Sequence, residues 1–232
     1  MNNSSFFISG TDTDIGKTYT SSLIFKSLIQ NKNETTKYYK PVQSGCFLKN
    51  NTLTAPDLET VSKISGVDYS QDMCTYYLEP EVSPHLAAEI ENTVIDPEKI
   101  ISEIEKRKTQ CNNLIVEGAG GIFVPIVRNK FYIYDLIKSV SLPVILVAGT
   151  KVGSINHTML TVKFLESMNI KIQGIVFNKY TGKNYEDDNI RVILKDSGIT
   201  NYLIINENQK DIDYDTLKKF LSNEKADSKE EL

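Results

Sequence analysis

Six short, largely apolar runs recur along the chain: Phe6–Ser9, Tyr38–Val42, Leu114–Glu117, Val144–Ala148, Ile172–Phe177 and Tyr202–Ile205. Most lack the polar alternation of a strand with one wet face, which is the pattern of strands covered on both sides. Between them lie segments of helical periodicity, and the spacing predicts helices over Lys17–Gln30, Asp57–Ile64, Pro97–Lys108, Ile133–Val140, Ser154–Met168, Asp188–Ser197 and Tyr214–Leu221. Repeated strand–helix–strand units connect by right-handed crossovers, so the expected architecture is α/β with a doubly wound, mostly parallel sheet. Ligands of such sheets bind at the carboxyl ends of the strands, where the loops gather. The segment from Cys46 to Pro84 is less regular and reads as an excursion carrying one helix.

The first strand runs into Gly10-Thr11-Asp12-Thr13-Asp14-Ile15-Gly16-Lys17-Thr18, and a helical pattern opens at once. Strand, glycine-bounded turn and helix N-terminus together make a phosphate-binding loop, and with it a P-loop NTPase-like single domain. Consecutive backbone N–H groups and the helix dipole converge on an anion there. Gly16 lets the backbone approach the phosphates, Lys17 can reach the β and γ groups, and the Thr18 hydroxyl can ligate Mg²⁺. The first glycine, Gly10, stands one residue earlier than the usual spacing of this motif places it.

Three further strand ends carry polar residues suited to the same chemistry. Glu117, at the tip of an apolar strand and followed by Gly118-Ala119-Gly120-Gly121, is the usual acidic partner of a phosphate loop. Lys40, inside the run Tyr38-Tyr39-Lys40-Pro41-Val42, is either a snorkelling edge residue or a cation burying its charge against an anion. With its strand beside the first strand, the ammonium would point at a transferred phosphoryl group. Asp57 is either a helix cap or a Mg²⁺ ligand. The junction Gly149-Thr150-Lys151-Val152-Gly153-Ser154-Ile155-Asn156-His157 offers a second helix N-terminus, with Ser154 as candidate cap, that suits a carboxylate or a phosphate. Asn178, before Lys179, is either a turn residue or an amide able to pair with an adenine edge. His85 and His157 lack metal-ligand spacing and read as helix-face or packing residues.

Bulk properties narrow the function classes. The 232 residues carry a formal net charge of −4, against a general nucleic-acid binder. No apolar run approaches the ~20 residues needed to cross a bilayer, and Met1-Asn2-Asn3-Ser4-Ser5 is no signal peptide, so a cytoplasmic protein is expected. Cys46, Cys74 and Cys111 suggest neither a disulfide framework nor a zinc site. Residues 1–222 read as one domain, and the polar stretch 223–232 as a solvated terminus.

Taken together, these stretches resemble the dethiobiotin synthetase family. The matching residues are Gly10 to Thr18, Tyr39-Lys40-Pro41-Val42, Ser83-Pro84-His85, Val116 to Gly121 and Gly153-Ser154-Ile155-Asn156-His157, in the family's order. The early first glycine is part of the family pattern. The resemblance implies ATP-dependent ring closure of 7,8-diaminononanoate with CO₂, through a carbamate and a carbamic–phosphoric mixed anhydride. It implies ATP as co-substrate, Mg²⁺ held by Thr18, Asp57 and Glu117, and a homodimer with substrate at the interface. Lys17 and Lys40 are the implied catalytic residues. ATP is expected against Asp14, Ile15, Gly16, Lys17, Thr18, Tyr19, Asp57, Glu117, Gly118, Ala119, Gly120, Asn178 and Lys179. The diamine or carbamate is expected against Ser44 and Gly121, and its distant carboxylate at Gly153, Ser154 and Asn156. The family's glycine- and proline-containing turn after the last strand is replaced here by Ile204-Ile205-Asn206-Glu207-Asn208.

Two rival readings have distinct signatures. An amidotransferase-linked synthetase of the cobyrinic acid type needs a glutaminase domain, for which 232 residues leave no room. A partitioning or division-site ATPase places a second lysine early in the loop, where this chain has Asp12.

Overall fold

A computed structural model describes residues 4–222. Its centre is a seven-stranded sheet in the order β11-β10-β9-β1-β6-β2-β5. These strands are β1 Ser4–Gly10, β2 Thr36–Gln43, β5 Cys74–Tyr77, β6 Asn113–Gly121, β9 Val144–Ala148, β10 Ile172–Tyr180 and β11 Tyr202–Asn206. Every pairing between them is parallel. Each of the six predicted strands is present. The seventh, β5, was not signalled, because four residues of mixed polarity at a sheet edge carry too little pattern.

The continuous apolar runs follow from the layers. Phe7, Val116, Leu146 and Phe177 face one core with Ile100 and Ile104 of α4 (Pro97–Lys108), Leu136 of α5 (Ile133–Val140), Val162 of α6 (Ser154–Ser167) and Ile190 of α7 (Asn184–Ser197). The alternate residues Ile8, Ile115, Ile145 and Val176 face a second core built by Leu23 of α1 (Lys17–Leu28), Leu58 of α2 (Pro56–Ser65) and Leu217 of α8 (Tyr214–Ser222). With helices on both faces, no strand needs a polar side.

The remaining differences are local. The segment after Cys46 carries α2 as expected, but also the hairpin β3 (Phe47–Lys49) with β4 (Thr52–Thr54), and the edge strand β5. Helix α3 (Pro84–Ile90) was not signalled, being seven residues long. A second hairpin joins β7 (Pro125–Val127) to β8 (Phe131–Tyr132). Helix α7 begins four residues before the expected Asp188, because the Glu186 carboxylate accepts the Lys183 N–H at 3.0 Å and caps an extra turn. The stretch 223–232 lies outside the described residues.

Strand order corrects one expectation outright. β2 does not lie beside β1; β6 runs between them and pairs with both. The consequence is chemical, since Lys40 then meets Glu117 of the intervening strand rather than the phosphate loop directly.

Candidate active site

The loop Gly10–Lys17 leaves β1 and closes over the sheet's carboxyl edge. Its early glycine has a steric reason: a Cβ on Gly10 would lie 2.6 Å from Ile15 Cγ2, so the loop packs its own isoleucine where a side chain would stand. Gly16 adopts φ 96°, ψ 34°, a left-handed conformation that leads into α1. Two residues at the end of β10 hold this loop from outside. Asn178 Nδ2 donates to the Ile15 carbonyl at 2.9 Å, and Lys179 Nζ donates to the Asp14 carbonyl at 2.8 Å. The Asn178 amide nitrogen is thus bound to the loop, which gives that residue a structural task beside any contact with a base.

Beneath the loop lies a buried charge cluster. Lys40 Nζ is 2.9 Å from Glu117 Oε1 and 2.5 Å from Asp57 Oδ2, and the Glu117 side chain is completely enclosed. Thr18 Oγ1 donates to the same Glu117 oxygen at 2.7 Å, and the Tyr38 hydroxyl donates to Oε2 at 2.9 Å. Three elements (β2, β6 and α1) therefore converge on one carboxylate, with α2 adding Asp57. The snorkelling reading of Lys40 is excluded: its side chain is 3 % exposed and meets two anions.

Asp57 is not a helix cap either. Ala55 holds that position with Pro56 first in the helix, and the Asp57 carboxylate turns to Lys40. Nor is Ser154 the cap of α6. Gly153 is, at φ 95°, and Ser154 Oγ donates back to the Lys151 carbonyl at 2.6 Å.

Protonation follows from the cluster. Burial alone would lower the Lys40 pKa, but Asp57 and Glu117 outweigh it and hold the ammonium well above the ordinary lysine value. Burial would raise Asp57, yet the Lys40 ammonium brings it below the usual carboxylate range. Lys17 is pushed down, first by burial and then by Lys40; its Nζ donates to the Asp12 carbonyl at 2.9 Å. Tyr38 is raised well above its ordinary value by burial and by Glu117, so it serves as a donor.

A cavity of ≈ 940 Å³ opens over this cluster. Asp14, Gly16, Lys17, Thr18 and Tyr19 line one wall; Lys40, Ser44 and Asp57 line another. Ala119, Gly120, Asn178 and Lys179 complete the predicted set that reaches it. Ile15, Glu117, Gly118 and Gly121 lie outside the lining, as do Gly153, Ser154 and Asn156. Glu117 sits under the floor, acting through Thr18 and Lys40. The Ser44 hydroxyl is buried without a hydrogen-bond partner among the described residues, a group ready for a ligand.

Some residues of the site carry no role assigned from sequence. Tyr38, which holds Glu117 from below the cavity, has a usable signal: it stands two positions before Lys40, hence on the same face of β2. Glu81 and Val82, before α3, line the cavity without any local motif to mark them; Asn206 to Asn208, after β11, also line it, in the stretch where the resemblance places the family's adenine-holding turn with a different sequence.

The donor set around Thr18 is all oxygen, namely one hydroxyl and the carboxylates of Asp57 and Glu117. That fits Mg²⁺, which takes one or two carboxylates and completes its shell with water and phosphate. Among the described residues no helix is long and apolar enough to cross a membrane.

Comparisons with known proteins give the family and the fold. A family model described as an AAA domain matches residues 4–215. The ATP-dependent dethiobiotin synthetase BioD of Fusobacterium nucleatum subsp. nucleatum is 54% identical over 217 residues, covering 94% of this chain and 98% of that protein. The protein of the same name from Anoxybacillus flavithermus is 41% identical over 190 residues, 81% of this chain and 85% of that one. Among solved structures, a ParA family ATPase from Chlorobium tepidum TLS superposes with a TM-score of 0.56 at 15% identity, covering 95% of this chain and 90% of that one. The MinC:MinD cell division complex of Aquifex aeolicus gives 0.54 at 15% identity, over 95% of this chain and 86% of the matched one. At such identity these two show a shared fold and nothing of function. The sequence relatives carry more, and by their identity and coverage the chain belongs to the ATP-dependent dethiobiotin synthetase family.

Proposed function

We propose that the cavity over Glu117 is where this ATP-dependent ligase of biotin biosynthesis closes the dethiobiotin ring from 7,8-diaminononanoate and CO₂. The observation that carries this reading is the pairing of a phosphate loop with a second, fully buried lysine. A simple kinase needs the loop and its acid. It has no evident use for Lys40, locked between two carboxylates.

In this reading one amine of the diamine takes up CO₂ as a carbamate, held near Ser44 and the backbone from Gly118 to Gly121. The carbamate oxygen attacks the γ-phosphorus of ATP and ADP leaves. The second amine then attacks the carbonyl of the mixed anhydride, phosphate departs with the electron pair, and the cyclic urea closes. Lys17 neutralises the γ-phosphate, while Lys40 faces the carbamate and the incoming phosphoryl oxygens. Thr18 and Asp57 would hold Mg²⁺, with Glu117 behind them through the Thr18 hydroxyl, and the ion when bound would neutralise phosphate charge. Phosphoryl transfer asks for positioning and charge neutralisation more than covalent help from the protein, and this is what the cluster supplies.

The far end of the substrate requires a second site. We assign its carboxylate to the N-terminus of α6, at Gly153 to Asn156, contributed by a second copy of the chain across a homodimer. An exposed aromatic cluster supports that assembly: Phe123 is 60% exposed and packs against Tyr132, Tyr134 and Phe164 with ring centroids 5.2–5.4 Å apart. Exposed Leu160 and Val152 belong to α6 and to the loop before it. Phe123→Asp is expected to shift the protein from dimer to monomer in light scattering and to weaken diamine use. A variant that stays dimeric refutes this face. The three cysteines are free and buried, which suits the cytoplasm.

The direct test is a product assay. ATP turnover should depend on both diaminononanoate and CO₂, with dethiobiotin formed in step with ADP. Equal hydrolysis without the diamine, or hydrolysis only with DNA or lipid, overturns the reading.

A further inference from the structure

One cluster of buried polar groups has no part in the phosphate site. Glu186, on the first turn of α7, is 1% exposed and enters none of the salt bridges formed among the described residues. Four donors reach its carboxylate instead: Thr150 Oγ1 at 2.5 Å, the Thr181 N–H at 3.0 Å, Thr181 Oγ1 at 2.7 Å and the Lys183 N–H at 3.0 Å. Burial alone would raise this carboxyl; the Thr150, Lys183 and Thr181 donors outweigh it and bring it down to about 2. A helix cap needs only the contacts from residues 181 and 183. The Thr150 contact does something further, because Thr150 belongs to the loop that leaves β9 and leads to α6.

A second residue of α7 holds the same loop. Asn189 Nδ2 donates to the Thr150 carbonyl at 2.8 Å and lies 3.4 Å from the Lys151 carbonyl. Beyond that point the loop has little hold of its own. Lys151, Val152 and Gly153 are exposed, and Val152 is 91% exposed. Ser154 ties its hydroxyl and its N–H back to Lys151, so the first turn of α6 inherits its position from the Lys151 carbonyl. The loop's other side is fixed by the phosphate loop, since Gly149 approaches Ile15 so closely that a Cβ would meet Cδ1 at 3.0 Å.

We infer that Glu186 and Asn189 are positioning residues that set the aim of the α6 N-terminus and thereby the enzyme's preference for a diamine ending in a carboxylate. This rests on the assignment of that helix end to the substrate carboxylate. Oriented N–H groups pre-fixed from behind lose little freedom when the anion arrives. A loop released from α7 would present the same groups in many orientations and discriminate poorly.

The test compares 7,8-diaminononanoate with its neutral amide, 7,8-diaminononanamide, in wild type, Glu186→Gln and Asn189→Ala. Glutamine keeps the shape of Glu186 but turns an NH₂ toward donors. Wild type is expected to favour the acid by about tenfold or more in kcat/KM, the size of a charge-assisted hydrogen-bonded contact. Glu186→Gln should lose most of that preference through KM for the acid, with KM for ATP within about twofold of wild type. Asn189→Ala should lose part of it, and answers the question alone if Glu186→Gln fails to fold. Full preference retained in the folded variants overturns the positioning role while leaving the carboxylate site intact. An ATP KM that rises as much as the acid KM also overturns it, since the defect is then general. If wild type itself shows no preference, the carboxylate is not read at α6, and the inference falls with that assignment.

Discussion

Lys40→Ala is expected to leave ATP affinity within about threefold of wild type while ring closure falls by on the order of 10²–10³. Lys40 is not a loop residue and donates nothing to the phosphate loop; its Nζ meets Glu117, Asp57 and the Gly118 carbonyl. In the proposed reaction its charge acts at the acceptor side of the site. The substitution has a second consequence, which separates this lysine from an ordinary surface cation. Removing it leaves the Asp57 and Glu117 carboxylates adjacent with no cation between them, and breaking a buried pair in this way costs roughly 3–5 kcal/mol. The apo variant should melt several degrees below wild type. Mg²⁺ should recover part of that loss, because at the proposed site it would neutralise the same carboxylates. Isothermal titration with ATP, a dethiobiotin assay and melting with and without Mg²⁺ resolve the three effects. A variant that closes the ring normally but binds ATP poorly would place Lys40 with the nucleotide instead.

The residues that could be read from sequence are those whose role is written in local pattern. Gly16, Lys17 and Thr18 sit in a fixed motif between a strand and a helix, and the structure places all three on the cavity wall. Strands buried on both faces announce themselves as apolar runs, and β9, all five residues buried, is the clearest case. Lys40 and Asp57 each admit two readings from sequence because their partners lie far along the chain: Glu117 is 77 residues from Lys40. The choice between a snorkelling lysine and a buried one depends on strand order, and strand order is a tertiary fact. The same reason explains why β6 was not foreseen between β1 and β2. It also explains Glu186, which reads as an ordinary acidic residue in a first helical turn until Thr150 is brought to it across 36 positions. Tyr38 is the instructive exception. Its alternation with Lys40 was legible, but a tyrosine in a strand is so common in cores that the pattern alone assigns it no task.

Gly16→Ala is expected to abolish most nucleotide binding, by about a hundredfold or more, without unfolding the protein. Two separable effects combine. At φ 96° an alanine is held in a conformation costing roughly 1–2 kcal/mol. Its Cβ would also stand 2.0 Å from Asn178 Nδ2 and 3.3 Å from Asn178 Cγ, so that side chain must move. When it moves, the 2.9 Å bond to the Ile15 carbonyl breaks, and the loop loses one of its two restraints from β10. Strain alone would mostly cost stability; the broken restraint misdirects the N–H groups that bind phosphate. Gly66 provides the control, since it too is left-handed, at φ 75°, but an added Cβ there meets nothing within 4 Å. Gly66→Ala should lower stability by about 1 kcal/mol and leave ATP affinity unchanged. Pairing Gly16→Ala with Asn178→Ala removes the clash but restores no restraint, so binding should stay weak while stability partly recovers. Nucleotide titration and melting on the four proteins decide the matter: if Gly16→Ala binds ATP as wild type does, phosphate recognition does not depend on the geometry of this loop.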